Sequence, residues 1–145
     1  MDFTFLDSIR KEFNGGEQEL NTYSPLVLAY IGDAVYEVVI RSLLVGKQNE
    51  QVEKLHKKAT KYVKAEAQKD IINAIMDDLT DDEMAVFKRA RNSKQHTTPK
   101  NAKLGDYHKA TGFEALVGYL YLKNDIDRML MLIHKGIEVS ELENL

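Results

Sequence analysis

Residues 26–40, LVLAYIGDAVYEVVI, are an apolar run interrupted only by Asp33 and Glu37, and residues 113–122, FEALVGYLYL, are a second whose single charge is Glu114. Coiled as helices, both are hydrophobic around nearly their whole circumference, so both belong at the centre of a core. An ionised carboxylate stripped of water costs several kcal/mol unless a cation, a metal or hydrogen-bond donors replace that water. Isolated acids on two core-forming segments therefore raise the possibility of a shared metal site.

The remaining periodicity predicts helices from end to end. Phe5, Leu6, Ile9 and Phe13 follow the i, i+3/i+4 pattern and stop at Asn14-Gly15-Gly16. Ser24-Pro25 is an N-cap followed by proline at the first helical position, starting a helix that should run to about Leu44, with Gly46 closing it. Residues 50–62 and 64–76 read as two more helices. Thr80-Asp81-Asp82-Glu83 is a capping box for a helix to about Arg91. Residues 92–105, with Pro99 and no apolar period, read as a long loop of the kind that is often functional. A helix over residues 107–123 follows, then a last one opened by Asn124-Asp125 with Ile126, Met129, Leu130, Ile133 and Ile137 on one stripe. No alternating strand pattern or internal repeat occurs, and the fold class is all-α, a bundle-like arrangement.

A chain of 145 residues suits one well-buried core, so residues 1–145 are expected to form a single domain. The absence of cysteine excludes thiolate nucleophiles and zinc-thiolate sites and fits a reducing compartment. No apolar run reaches the roughly 18 to 20 residues that span a bilayer, and the N-terminus mixes acids with bases, so the expected address is the cytoplasm, with no membrane partner. The net charge of -3 argues against a generic polyanion binder, yet its distribution is uneven. Residues 88–105 contain no acid and hold Lys88, Arg89, Arg91, Lys94, Lys100 and Lys103.

Asp33, Glu37 and Arg41 are spaced by four and form one polar ridge on the first apolar helix. Taken alone, Glu37 and Arg41 read as an ordinary surface pair. Asp33 is harder to explain that way, since it follows Gly32, which costs roughly 1 kcal/mol against alanine inside a helix. A Gly-Asp pair in a core helix suggests close backbone approach together with a required carboxylate. Oxygen ligands from facing helices can hold Mg²⁺, which needs few protein carboxylates when waters and substrate phosphate complete its shell. The first helix is too apolar for one small core to cover, and a two-fold contact through its Gly32 face is expected to bury the remainder.

Tyr30-Ile31-Gly32-Asp33-Ala34-Val35 resembles the signature helix of the ribonuclease III family, and Phe113-Glu114-Ala115-Leu116-Val117-Gly118 resembles that family's second catalytic helix. Arg89-Ala90-Arg91-Asn92-Ser93-Lys94 followed by Thr98-Pro99-Lys100-Asn101-Ala102 is similar to the loop of its short Mini-ribonuclease III branch, which lacks a separate double-stranded-RNA-binding domain. Nearly the whole chain is covered. The resemblance implies a ribonuclease III-like helical domain, homodimeric, that cleaves double-stranded RNA with Mg²⁺ as cofactor. The implied substrate is precursor 23S ribosomal RNA, trimmed near its 5′ and 3′ ends. Carried over by position, Asp33 and Glu114 are the catalytic, metal-binding acids.

The chain also departs from the family pattern. Ala29 stands where larger members place a glutamate, and Thr111 where they place an aspartate, so fewer protein–metal bonds and more coordinated water are expected. Glu37 and Thr111 are expected to orient the ligands rather than bind the metal. Arg89, Arg91, Asn92, Lys94, Lys100, Asn101 and Lys103 are expected to contact the RNA backbone across the wide minor groove of the duplex. Two rival classes stand beside this reading: a non-catalytic RNA-binding or ribosome-assembly factor on the same fold, and an all-α nucleotide hydrolase. The sequence leaves open whether a ribosomal protein presents the substrate.

Overall fold

A computed structural model describes residues 3–93, 103–140, 142 and 145. Among them are seven α-helices, two single 3₁₀ turns and no strand. Helix α1, Phe5–Phe13, opens on a reciprocal capping box between Thr4 and Asp7 and ends at Asn14, whose φ of 50° is left-handed. Helix α2, Pro25–Lys47, starts as expected, with the Ser24 hydroxyl accepting from the Val27 amide. It runs through Gly46 and ends only where Gln48 turns extended. An exposed glycine costs a long helix about 1 kcal/mol, too little to stop it.

Helices α3, Val52–Val63, and α4, Ala65–Ile75, are separated by Lys64 alone, whose extended backbone ends one and begins the other. Helix α5, Asp81–Arg91, carries the full Thr80–Glu83 capping box. Helix α6, Leu104–Leu122, begins three residues before Tyr107, so the expected loop is shorter than the sequence suggested. Helix α7, Ile126–Val139, completes the bundle. Its apolar stripe is buried at Met129, Ile133 and Ile137 but exposed at Leu130.

Helix α6 is the axle. It packs against α2, α4, α5 and α7, and it buries Phe113, Ala115, Leu116, Val117 and Leu120 almost completely. Helix α2 lies on it along the stripe Leu28, Gly32, Tyr36, Ile40 and Leu44, one residue per turn. The two helices touch backbone to backbone. A methyl group on Gly32 would overlap the Glu114 carbonyl oxygen and come within 2.7 Å of the Gly118 nitrogen, and one on Gly118 would overlap the Leu28 carbonyl oxygen.

The Gly32 face is therefore filled within the chain, and a second copy cannot use it as the sequence suggested. The apolar surface of α2 that stays exposed lies elsewhere, at Leu26, Val27, Tyr30, Val38, Leu43 and Val45. Part of it, with α1 and α7, lines an apolar groove of about 740 Å³. No helix among the described residues is long and apolar enough to cross a membrane.

One buried ion pair ties α5 to α7. Arg128 donates from Nε and Nη2 to the two Glu83 carboxylate oxygens at 3.0 and 2.7 Å, and from Nη2 to the Asp78 carbonyl at 2.7 Å. Those bonds hold the Glu83 carboxyl below the usual range although it is buried.

The helix crossing generates a test. Gly32→Ala should destabilise the protein by about 3 kcal/mol or more, because the clash is with backbone that no rotamer can relieve. Gly46→Ala, which meets open space on an exposed helix, should stabilise by about 0.5 to 1 kcal/mol. Urea unfolding of the two variants checks both signs.

Candidate active site

The crossing of α2 and α6 decides where the acids go. Asp33 leaves α2 one residue after Gly32, and Glu114 is the residue whose carbonyl fills the Gly32 notch, so the two carboxyl groups meet at hydrogen-bonding distance. Asp33 is exposed and Glu114 half-buried, so the pair has a wet side and a dry side. The dry side is aromatic. Tyr36, one turn beyond Asp33, is fully buried, its ring edge-on to that of Phe113 with centroids 5.2 Å apart, and its hydroxyl donates to the Tyr62 carbonyl at 2.7 Å. Burial pushes the Tyr36 phenol up, so it stays neutral.

Burial, the hydrogen bond shared with Asp33 and the Asp33 charge together push the Glu114 carboxyl up to about 9. A hydrogen bond from the Gln68 amide opposes them, and the charge of Glu37 adds a smaller upward push. At neutral pH Glu114 thus keeps its proton and donates it to Asp33, because two adjacent carboxylates cannot both ionise cheaply without a counter-charge. Among the described residues neither acid has an ion-pair partner, and no three His, Asp or Glu side chains gather closely enough to hold a metal by themselves. Two oxygen donors lacking a cation fit a hard divalent ion that retains most of its water.

The other expected residues divide. Glu37 pairs with Arg41 at 3.2 Å on the surface and reaches Glu114 through its charge alone. Thr111 is buried, and its hydroxyl donates to the Tyr107 carbonyl of its own helix at 3.0 Å. Ala29 is buried four residues before Asp33. Arg89 is exposed in the last turn of α5. The Arg91 guanidinium lies 5.4 Å from the centre of the Phe87 ring and donates to Asn92 Oδ1 at 3.2 Å. Asn92 closes α5, and Lys103 is exposed at the start of α6. Lys94, Lys100 and Asn101 lie outside the described residues.

Sequence reasoning overlooked Gln68. It is 3% exposed on α4, in line with Ile71, Ile72 and Ile75, and it reaches Glu114 from a third helix. A glutamine on an otherwise apolar helical stripe was the available signal.

Residues 26–125 match the Ribonuclease III domain family. The Mini-ribonuclease 3 of Clostridium tetani is 50% identical over 92% of this chain and 91% of its own length. That of Thermoanaerobacter sp. is 47% identical over 81% of this chain and 83% of its own. A crystal structure of a Fusobacterium nucleatum protein superposes with a TM-score of 0.76 at 30% identity, covering 84% of this chain and 94% of that one. The family match spans both acid-bearing helices and the segment between them, and this chain accordingly belongs to the ribonuclease III family of endoribonucleases, in its short Mini-ribonuclease 3 branch.

Proposed function

We propose that this chain is a Mg²⁺-dependent endoribonuclease that cuts double-stranded RNA, with Asp33 and Glu114 as the acids that hold the metal. The single observation carrying this reading is the meeting of those two carboxyl groups across the α2–α6 crossing. When bound, the cation supplies an acidified water and neutralises charge on the phosphate. The protein's own part is positional. Asp33 and Glu114 would hold the ion from the two helices, with the Glu114 proton released to solvent on the exposed side, and Tyr36 and Phe113 exclude water from the inner side. Glu37 acts on the pair through its charge, and Thr111 lies one turn before Glu114 on α6.

RNA is held by charge and shape. The exposed Arg89, the neighbouring Arg91 and Asn92 at the end of α5, and Lys103 at the start of α6 frame the basic segment that contains Lys94, Lys100 and Asn101. Lys103 is eleven residues before Glu114, about 16 Å at the rise of an α-helix, a separation that the backbone of one duplex can bridge. The chain acts as a homodimer joined through the exposed apolar flank of α2 and the groove beside it, which places two acid pairs along one duplex. Its substrate is precursor 23S ribosomal RNA in the cytoplasm, a reading supported by likeness to the Mini-ribonuclease 3 branch. A ribosomal protein is the proposed presenter of that substrate.

Purified protein should cleave long duplex RNA with Mg²⁺ and not with chelator, and Asp33→Asn or Glu114→Gln should lower the rate at least 100-fold while leaving duplex binding intact in a filter assay. Binding without cleavage by the parent chain would instead favour an assembly factor. Assays on protein-free and protein-bound precursor decide whether a presenter is needed.

The proton on Glu114 generates a second test. Its folded value, about 9, exceeds the ordinary 4.5, so the folded state binds a proton that the unfolded chain releases. That contribution to stability is complete below pH 4.5 and is lost as pH rises towards 9. Urea midpoints of the cation-free protein should fall between pH 5 and 9, the fall should shrink in Glu114→Gln, and saturating Mg²⁺ should oppose it by binding the ionised pair.

A further inference from the structure

Gln68 combines two properties that burial alone does not explain. Its Nε2 donates to the Val63 carbonyl at 2.8 Å and its amide lowers the Glu114 carboxyl from close by, while its Oε1 is fully buried with no hydrogen-bond partner among the described residues. The Val63 carbonyl sits at the end of α3 and can only accept, so the amide nitrogen must face it. The oxygen is thereby turned away from that carbonyl, on a side chain that reaches Glu114. A buried acceptor without a donor is destabilising, and a leucine on the Ile71, Ile72 and Ile75 stripe would avoid that loss. The missing element is a donor, and the site already described would provide one. A cation held by only two carboxylates keeps several waters, whose protons need acceptors around them.

We propose that Gln68 is a positioning residue of the cation site, its Nε2 fixing the Glu114 carboxylate and its Oε1 accepting from a water in the cation's shell. This inference rests on Asp33 and Glu114 being the cation site. It adds α4 as the third helix of that site and a neutral amide as its third polar group.

The test is calorimetric titration of Mn²⁺ into the full chain at pH 8 without RNA, with urea unfolding of the cation-free proteins alongside. Gln68→Met keeps the length and removes both polar atoms. It should bind Mn²⁺ about 10- to 100-fold more weakly, and duplex cleavage lost at low Mg²⁺ should return at higher Mg²⁺. A lower urea midpoint with unchanged Mn²⁺ affinity would make Gln68 merely structural and overturn the proposal. Gln68→Glu loses the Nε2 donor but keeps an acceptor and adds a negative charge for the ion, which outweighs that loss, so it should bind Mn²⁺ at least as tightly as the parent. Weaker binding by that variant would overturn the proposal even if Gln68→Met did not fold. Asp33→Asn separates the two layers: if it too leaves Mn²⁺ affinity unchanged, the cation site itself is wrong, whereas loss in Asp33→Asn with none in Gln68→Met removes Gln68 alone.

Discussion

The contact of α2 with α6 at Gly32 and Gly118 is the constraint on which the molecule depends. With no Cβ on either residue, each helix rests on the backbone of the other, closer than any side chain would allow. That closeness serves packing and chemistry together. It lets the apolar stripe of α2 seat directly on the most buried helix of the bundle, and it brings the residue after Gly32 against the side chain of Glu114, whose carbonyl occupies the Gly32 notch. A wider crossing would leave two ordinary acids, one on each helix. The narrow one makes a coupled pair.

Such a pair is a cost to the fold, because two adjacent carboxyl groups resist ionising together. Helix α2 already has good apolar partners at Tyr36, Ile40 and Leu44, and nothing in its packing requires Asp33. The contrast with Glu83 is instructive. The Glu83 side chain is also closed off from solvent, but the Arg128 fork and the cap of α5 satisfy it and hold its carboxyl low. Glu114 has the opposite environment, with an acid as its nearest neighbour, a single amide opposing it and no cationic partner among the described residues. One buried carboxylate ties two helices together; the other has no opposite charge beside it among the described residues.

Much of the fold was legible in the order of residues. Ser24-Pro25, the Thr80–Glu83 box and Asn14 act within one turn, so their signals are local and the helices begin or end where those residues stand. Gly46 misled because a glycine stops a helix only when the following backbone departs, and here the departure comes at Gln48. Helix α6 starts three residues before the expected Tyr107, and Leu104 and Gly105, both exposed, carry no capping signal that would mark that start. The sequence points the Gly32 face at a second copy for a related reason: an apolar face is visible in sequence, its partner is not.

What the sequence by itself determined is the set of helices, the two apolar segments with their isolated acids, and a basic segment on an acidic chain, since all of these follow from short-range periodicity, capping and charge. Its family likeness also named Asp33 and Glu114. Tertiary structure alone decided that Gly32 and Gly118 interlock, that burial beside Asp33 pushes the Glu114 carboxyl up, and that Gln68 reaches Glu114 from α4. Those facts depend on which helix faces meet across long stretches of chain, and on the loss of water when they do, and neither is written in the neighbours of any one residue.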